Sequence, residues 1–382
     1  MPSQKFLGTQ PPSFQQRHLK AKDKDIVLAS QPKTGTTWLK ARVLHFKRNE
    51  NHLVFRTGNT VGMGEGEQQA IDELIASLPQ EKVPSLPPCC LFQNFWCPIF
   101  VLPNVVAFQR HFKAKDKDIV VASDPKSGTT WLMAIAFSIV NRSQFDISNM
   151  PLLTSSPHEL IPRFEFDFFV HNSRFDLDDM EELRLLSTHL PYSSLPECVK
   201  RSDCRIIYIC RNPLDTVLSS WHFYLQMARS EEWPEGSLEE HFEIYCQGKT
   251  PFGPFWDHMV GYWRESLERP HKVLFLKYED LKEDIVGPLK KVAEFVGLPF
   301  TEEEEERGVI EEIAKMCSLK TLKDLEVNKS GKLSGKSIEK RSFFRKGEVG
   351  DWVNHLTPSM VDRLNSIMQE NLSPFGLEFK LC

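Results

Sequence analysis

The sequence predicts an α/β fold, a single domain with a central parallel sheet flanked by helices and one P-loop-like anion-binding loop. Short β-branched, apolar stretches alternate with longer amphipathic ones through the second half of the chain. This alternation is typical of a parallel sheet that is covered on both faces. One apolar stretch runs directly into "DPKSGTTW", from Asp124 to Trp131. No run of about 18 apolar residues is present, so no membrane span is predicted.

Composition narrows the class of protein further. A chain of 382 residues with 41% apolar content can bury a sizeable core. The net charge of -5 argues against a nucleic-acid partner or a broad membrane-binding face. The nine cysteines are scattered and form no paired CxxC motifs, so neither a disulfide framework nor a metal site is predicted. The N-terminal stretch has no apolar core of signal-peptide length, and a cytoplasmic location is expected.

An internal repeat sets the predicted domain boundaries. "QRHLKAKDKDIVLASQPKTGTTWLKA" (Gln16 to Ala41) returns, with most positions identical, as "QRHFKAKDKDIVVASDPKSGTTWLMA" (Gln109 to Ala134). A lone strand–helix unit cannot bury its apolar face, so residues 1–69 are predicted to be a non-functional partial duplicate plus a linker. Residues 70–382 are predicted to be the functional domain, and deleting residues 1–69 is expected to leave activity intact. A second anion site at Lys33 is the alternative.

The elements of the functional domain follow from local patterns. Four β-branched, apolar stretches bounded by charge or Pro are predicted as strands: "DKDIVVAS", "LRLLSTHLP", "CRIIYICRNP" and "HKVLFLKYEDL". Amphipathic stretches are predicted as helices: "GTTWLMAIAFSIVNR", "PLDTVLSSWHFYLQMAR" from Pro213, a turn through Tyr278, "IVGPLKKVAEFVGLP" and "TEEEEERGVIEEIAKMCSLKTLKDL". The polar stretch 42–69 is predicted to be a linker, and 328–348 a loop.

The loop after the first of these strands has the features of a phosphate site. Four consecutive residues supply backbone N–H groups where the next helix begins: Ser127, Gly128, Thr129 and Thr130. Lys126 adds a full charge, and the helix dipole favours an anion at this point. The alternative is an ordinary capped helix start. Because the Lys precedes the Gly, and the strand ending at Arg211 has no acid, a magnesium-dependent kinase is disfavoured.

Three motifs in order resemble those of the cytosolic sulfotransferases of plants, which act on flavonoids, steroids and related small molecules. They are "PKSGTTW", "CRNPLDTVLSS" and "FFRKGEVGDW" (Phe343 to Trp352). The resemblance runs from about residue 70 to the C-terminus. It implies 3′-phosphoadenosine 5′-phosphosulfate (PAPS) as the sulfuryl donor, no metal, and a hydroxyl of a small apolar acceptor as the destination.

The resemblance also implies which residues hold the donor. Lys126 and its loop would bind the 5′-phosphosulfate, and Arg211 with Ser219 the 3′-phosphate. The other implied donor contacts are a charged lid and an adenine pocket: Arg345, Lys346, Gly347, Trp131, Phe343, Tyr278, Cys317, Ser318 and Leu319. The alternatives from the residues alone are core packing for the aromatic side chains and surface ion pairing for the charged ones.

Catalysis needs a base with a pKa near neutrality, and His is the default. Among twelve histidines, His189 lies just past a predicted strand, where the resembling family keeps its base. A core or capping role is the alternative. By the same resemblance, Lys126 neutralises the leaving oxygen and Ser219 holds that Lys aside. Many animal members have Lys where this chain has Ser187, so no second cation is expected beside His189.

One residue departs from the family pattern at the donor loop. Asp124 stands where members usually carry Tyr, Phe or a small residue, and at a strand end it is expected to face solvent. A carboxylate that points inward would weaken donor binding, so Asp124→Tyr or Asp124→Phe is expected to tighten it. The aromatic-rich segment Leu91 to Phe108 is predicted to lie on the acceptor side, with Pro162 to Phe175 as a variable gate.

Two other functions stay open at this point. One is a P-loop small-molecule kinase, and the other is a catalytically impaired nucleotide-binding homologue. The 27 Phe residues favour a flat apolar acceptor with one hydroxyl. A dimer motif is not evident in "LTPSMVDRLNSIMQENL", so a monomer and a homodimer are both expected possibilities.

Overall fold

A computed structural model describes residues 65–168, 180, 183–333 and 338–380 of the chain. The first copy of the repeat, Gln16 to Ala41, lies outside the described residues. So do most of the predicted linker and the second half of the predicted gate. The predictions made for those segments therefore stay predictions.

The described residues form seven strands and sixteen α-helices. The strands are β1 (Gln80–Glu81), β2 (Cys89–Phe92), β3 (Phe95–Pro98), β4 (Ile119–Ser123), β5 (Leu185–Thr188), β6 (Arg205–Cys210) and β7 (Val273–Lys277). The helices are α1 (Glu65–Ser77), α2 (Leu102–His111), α3 (Thr129–Asn141), α4 (Pro157–Leu160), α5 (Phe164–Asp167), α6 (Glu197–Arg201), α7 (Pro213–Glu231), α8 (Leu238–Cys246), α9 (Phe255–Glu268), α10 (Tyr278–Glu283), α11 (Val286–Phe295), α12 (Glu302–Glu306), α13 (Val309–Met316), α14 (Leu319–Asp324), α15 (Glu326–Lys329) and α16 (Pro358–Asn371).

The four predicted strands form one parallel sheet in the order β5-β4-β6-β7, which confirms the predicted fold class. The register pairs Val121 with Ser187 on one side and with Ile207 on the other. Because the strands are parallel, their carboxyl ends meet at one edge of the sheet. The residues that follow them therefore collect there.

Both faces of the sheet are covered, as its apolar strands require. Val120 and Ala122 of β4 belong to a core cluster with α2, α7, α8, α9 and α16. Ile119 and Val121 point the other way, into a second cluster with α3, α11 and α13. Successive residues of β4 therefore point to opposite faces of the sheet.

Two local predictions differ from the structure. The acidic stretch predicted as one helix is three helices, α12, α13 and α14, because Gly308 adopts a left-handed φ of +74° and the Ser318 side chain caps α14. The predicted linker ends too late, since α1 already begins at Glu65 and buries Ile71 in the core.

An antiparallel hairpin that the sequence analysis did not identify joins β2 to β3. Its two turn residues, Gln93 and Asn94, have φ values of +49° and +66°, which is the type I′ geometry of tight hairpins. Among the described residues, no helix has both the length and the apolar content that crossing a membrane requires.

Candidate active site

The anion loop connects β4 to α3 through two residues in left-handed backbone conformation. Lys126 has φ +69° and Gly128 has φ +112°. A Cβ at Gly128 would lie 2.8 Å from Cδ2 of Tyr278, so both the conformation and the close packing require glycine. The amides of Trp131 and Leu132 both donate to the Gly128 carbonyl, at 3.0 Å each. The N–H groups before them therefore lie at the open mouth of α3.

The ammonium of Lys126 is held over aromatic rings. It lies 4.2 Å from the ring centroid of Phe223 and 5.3 Å from that of Phe343. Burial, followed by the positive charges of Arg345 and Arg211, lowers the pKa of Lys126 to about 7. A half-buried Lys126 near two other cations forms an electrostatic site for an anion.

Ser219 is predicted to hold the Lys126 ammonium aside, but the structure shows another partner for that ammonium. Ser219 lies on α7 and is buried. Among the described contacts, no hydrogen bond joins Ser219 to Lys126. The ammonium rests instead on Phe223, one turn further along α7. Packing against an aromatic ring therefore holds Lys126 here.

The loop hydroxyls have different partners. The Thr129 hydroxyl lies 2.6 Å from Oγ of Ser123, and the Thr130 hydroxyl lies 2.8 Å from Nε2 of His158. Oγ of Ser127 is fully buried and has no hydrogen-bond partner among the described residues. Ser127 is thus the hydroxyl most in need of a ligand, while each Thr retains further hydrogen-bonding capacity.

The Tyr278 ring of the predicted adenine pocket is surrounded by three other residues implied in donor binding. The Tyr278 ring meets the Trp131 ring edge-on at 5.1 Å, and the Arg211 guanidinium lies 4.5 Å above it. The Tyr278 hydroxyl donates to the Gly347 carbonyl at 2.8 Å. Gly347 has φ +66°, and a Cβ there would lie 2.0 Å from Cδ2 of Leu319, so a larger residue would be strained and would require Leu319 to move.

Two predicted adenine contacts have side chains that are already engaged. The thiol of Cys317 is fully buried and lies 3.3 Å from Oγ of Ser138. Oγ of Ser318 accepts from the Thr321 amide at 3.1 Å as the cap of α14. Both side chains are thus committed to contacts within the protein, and the prediction that these two residues contact adenine stays a prediction. Their backbone groups remain available.

The predicted charged lid is tied together by a carboxylate that the sequence analysis did not identify. Asp351 pairs with Arg345 at 2.6 Å and with Lys346 at 2.7 Å. Burial acts to raise the pKa of Asp351, but the hydrogen bonds from Lys346 and Arg345 more than offset it and hold the pKa well below its usual range. Asp351 is thus ionised and keeps both cations in one place.

The lid is anchored to the start of α7. The Arg211 guanidinium donates to the Glu348 carbonyl at 2.5 Å and lies 3.6 Å from the Asp215 carboxylate. Asp215 also accepts from the Gly350 amide at 2.8 Å. Nε atoms of Arg211 and Arg345 are fully buried and lack a partner in the described part of the chain. Both arginines therefore retain donors for an anion.

His189 follows β5, and its ring tautomer is fixed by a backbone group. Its Nδ1 lies 2.9 Å from the Ser123 carbonyl. A carbonyl only accepts, so Nδ1 carries the proton and Nε2 presents a lone pair. Burial, and then the charge of Arg163, lowers the pKa of His189 to about 3. The imidazole is neutral near pH 7 and presents a lone pair at Nε2, but this pKa is lower than the near-neutral value expected of the base.

A buried hydrogen-bond network fixes the backbone of His189. Glu165 accepts from the His189 amide at 2.8 Å and from the Thr188 hydroxyl at 3.0 Å. On the other side, Nε2 of His258 donates to the His189 carbonyl at 2.9 Å, and its Nδ1 accepts from Tyr208 at 2.9 Å. No sequence motif identified these partners, since they come from separate elements.

A second cation does lie near the base, contrary to expectation. Ser187 provides none, but Arg163 pairs with Ser187 as a backbone bridge. The Arg163 guanidinium is buried, lies 4.6 Å over the Phe166 ring, and lowers the pKa of His189. The expectation failed because this cation comes from another part of the chain, and sheet pairing brings it beside the strand.

Aromatic side chains cover the side of His189 away from the anion loop. The Phe252 ring lies 5.6 Å from the His189 ring. Phe95 stacks on Phe252 at 6.3 Å, and Phe166 lies 6.3 Å from both Phe252 and Phe100. The aromatic-rich segment predicted for the acceptor side thus contributes two rings, Phe95 and Phe100, to this wall.

The expectation that Asp124 faces solvent is wrong. Only 4% of the residue is exposed. Burial raises the pKa of Asp124 to about 8. The strand end lies beneath packed helices, because the parallel sheet is covered on both faces, and so a residue there is largely withdrawn from solvent.

Replacing Asp124 by Asn is expected to stabilise the fold, and increasingly so as the pH rises. The folded pKa lies above the unfolded value of about 3.9, so the folded state holds the proton longer and wild-type stability falls from about pH 4 to pH 8. Asp124→Asn removes this penalty, which is roughly 5 kcal/mol at most by pH 8. Urea unfolding at pH 5 and pH 8 measures it, with the exposed Asp146→Asn as control. Equal gains at both pH values would contradict the prediction.

Comparison with known proteins gives a consistent result. Residues 116–376 match the family model of the sulfotransferase domain. The chain is 48% identical to cytosolic sulfotransferase 15 of Arabidopsis thaliana over 321 residues, covering 83% of this chain and 89% of the relative. It is 42% identical to a flavonol sulfotransferase-like protein of Flaveria bidentis over 315 residues, covering 81% and 100%.

Solved structures are similar over the same region. A putative steroid sulphotransferase of Arabidopsis thaliana superposes with a TM-score of 0.65 at 35% identity, covering 83% of this chain and 98% of that one. A mouse sulfotransferase complexed with PAP superposes with a TM-score of 0.57 at 26% identity, covering 77% and 95%.

Proposed function

The chain belongs to the sulfotransferase family, and from this premise we propose that it transfers a sulfuryl group from PAPS to a hydroxyl of a small apolar acceptor. One observation carries the proposal. A half-buried ammonium, Lys126, and a neutral imidazole with a free lone pair, His189, lie at the same edge of one sheet. That pair supports a reaction in which one group accepts a proton while the other neutralises a leaving anion.

Donor binding is proposed to use the anion loop and the lid. The amides at the mouth of α3 and the buried Ser127 hydroxyl would hold the 5′-phosphosulfate. The free Nε–H groups of Arg211 and Arg345 would meet the 3′-phosphate. Trp131 and Tyr278 would flank the adenine. PAP in the mouse structure supports a nucleotide of this kind.

The transfer step is proposed to follow from the same geometry. The acceptor oxygen forms a bond to sulfur while the bond from sulfur to the phosphate oxygen breaks. Nε2 of His189 takes the hydroxyl proton, and Lys126 neutralises the charge on the leaving oxygen. The Ser123 carbonyl holds Nδ1–H throughout, so the ring does not need to rotate. The network from Glu165 and His258 keeps the imidazole in place.

A flat apolar acceptor, such as a flavonoid or a steroid, is proposed from the wall beside His189. Phe95, Phe166 and Phe252 offer flat apolar surface next to the base. The names of the Flaveria and Arabidopsis relatives support these two acceptor classes. Relatives named cytosolic also support a cytoplasmic location.

The test is transfer of radiolabelled sulfate from PAPS to a panel of phenols, flavonols and steroids, in the presence of a metal chelator. Labelled product on at least one hydroxyl acceptor is the expected result. Phosphate transfer from ATP that requires magnesium would instead indicate a small-molecule kinase. Tight binding of the desulfated nucleotide without transfer to any acceptor would indicate an impaired homologue, and either result would overturn the proposal.

Arg345→Ala is expected to weaken binding of the desulfated nucleotide by about tenfold to a hundredfold, the range for losing charge-assisted hydrogen bonds. Arg341→Ala is the matched control, because Arg341 lies in the same segment but is paired with Glu339 at the surface. Calorimetric titration of the nucleotide into both variants measures the difference. Similar losses in the two variants would mean that the effect is only one of net charge.

The duplicated segment is proposed to be dispensable. Because α1 begins at Glu65 and contributes Ile71 to the core, a suitable truncation removes residues 1–64. Sulfate transfer by the truncated and full-length chains is expected to be equal. Loss of turnover in a folded truncation would show that the segment has a function.

A further inference from the structure

Asp124 is a buried carboxyl without a partner. Only 4% of the residue is exposed. Within the described part of the chain, neither an ion pair nor a hydrogen bond reaches its oxygens. The two carboxyl oxygens also differ from the fully buried polar atoms that lack a partner. The small exposed part of Asp124 is therefore its carboxyl group. A polar group in this state is arranged to meet something that is not part of the protein.

The tyrosines near Asp124 indicate which face of the sheet it occupies. Ser123, the last residue of β4, directs its hydroxyl to Thr129 of the anion loop. Asp124 follows directly, and Ala122 lies in the cluster that includes Tyr208 and Tyr245. The charge of Asp124 acts to raise the pKa values of Tyr208, Tyr224 and Tyr245. The carboxyl therefore lies on the side of the sheet that carries Tyr208 and Tyr245.

A second unpartnered polar group lies on that face. The hydroxyl of Tyr245 is fully buried and has no partner among the described residues, and it lies within reach of the charge of Asp124. The same side of the sheet carries Phe252, which packs against His189. The Ser123 carbonyl that fixes His189 directly precedes Asp124. The carboxyl therefore belongs to the surroundings of the base and the aromatic wall.

No nearby cation offsets the charge of Asp124. The Lys126 ammonium is turned to Phe223, and the charges that act on it are those of Arg345 and Arg211. Arg163 already lies 3.9 Å from the Asp167 carboxylate. The pKa of Asp124 is raised by burial alone. An unpaired buried carboxylate is costly, and a cation brought by a ligand would remove that cost.

We propose that Asp124 determines acceptor specificity, by pairing with a protonated amino group on an aromatic acceptor whose hydroxyl meets His189. This inference rests on the proposed function and refines it, because it adds a positively charged group to an otherwise apolar acceptor. An amine is favoured over a neutral donor, since it supplies the charge that the protein lacks at this point. The preferred acceptors are therefore phenolic amines.

Matched phenols with and without an amine test the inference. The pairs are tyramine with 4-ethylphenol, and 4-(aminomethyl)phenol with 4-methylphenol, which sample two distances between hydroxyl and charge. Each is titrated into the full chain saturated with the desulfated nucleotide, and kcat/KM for sulfate transfer is measured in parallel. The proteins are the wild type, Asp124→Asn, Asp124→Ser as a second neutral variant, and the exposed control Asp146→Asn.

In the wild type, at least one amine is expected to bind more tightly than its matched phenol. This preference is expected to fall by about tenfold or more in both neutral Asp124 variants, and to persist in Asp146→Asn. No preference in the wild type, or an equal preference in the Asp124 variants, overturns the inference. A larger change in nucleotide affinity than in amine affinity would place Asp124 on the donor side and also overturn it.

The outcomes separate this inference from the proposed function. If phenols are sulfated equally well with and without an amine, the proposed sulfate transfer is supported and the specificity role of Asp124 is contradicted. If amine binding depends on Asp124 but no acceptor is sulfated, the specificity role of Asp124 is supported and the proposed sulfate transfer is contradicted.

Discussion

Replacing His189 by Asn is expected to reduce sulfate transfer by about 10² to 10⁴, the usual contribution of a general base. Asn keeps a donor for the Ser123 carbonyl, which His189 contacts at 2.9 Å through Nδ1, but it offers no basic lone pair at the position of Nε2. The loss is expected in kcat, while affinity for the desulfated nucleotide stays close to that of the wild type. His271→Asn, at an exposed position, is the matched control.

The pH profile gives this prediction a second readout. Because the pKa of His189 is lowered to about 3, the base is neutral throughout the range from pH 5 to pH 8. Its protonation therefore should not reduce the rate as the pH falls toward 5. A rate that declines through a pKa near 6.5 in the wild type, and not in the variant, would mean that His189 is not held as the structure indicates.

Lys126→Met is expected to have the other large effect. Removing a charge aimed at the leaving oxygen typically lowers kcat by about 10² to 10³, and donor affinity should fall as well. Met retains the apolar stem that packs near Phe223 and Phe343, so the fold is expected to persist. Single-turnover rates with saturating PAPS separate the two losses, and Lys115→Met, at an exposed position before β4, is the control.

The pKa of Lys126 predicts how donor affinity changes with pH. Burial, Arg345 and Arg211 lower it to about 7, so the free enzyme loses this positive charge as the pH rises through neutrality. Donor affinity in the wild type is therefore expected to decrease from pH 6.5 to pH 8.5. The same decrease in Lys126→Met would show that another group is responsible.

The two predictions concern residues that local sequence already brought to attention. A Lys-Ser-Gly-Thr-Thr run after a buried strand and before a helix identifies an anion loop, because only neighbouring residues build it. Similarly, the strand that precedes His189 and the one that precedes Arg211 were both evident from their apolar runs. Parallel pairing then brings their ends to one edge, which the strand–helix alternation alone could predict.

The residues that tune this site were not identifiable in the same way. Arg163 supplies the cation that Ser187 lacks, and Asp351 holds the lid cations. Cys317 and Ser318 fit the family pattern, yet their side chains are engaged elsewhere. Most of these contacts join segments that are far apart in the chain, so a pattern of neighbouring residues does not predict them.

The amino-acid sequence by itself determined the fold class, the positions of the four sheet strands along the chain and the position of the anion loop. Periodicity and turn chemistry, which indicate these features, are properties of neighbouring residues. Only the tertiary structure decided the tautomer of His189 and the burial of Asp124. Both depend on which carbonyl, ring or helix is packed against a side chain. Desolvation and hydrogen bonding, which set a protonation state, exist only once distant segments have come together.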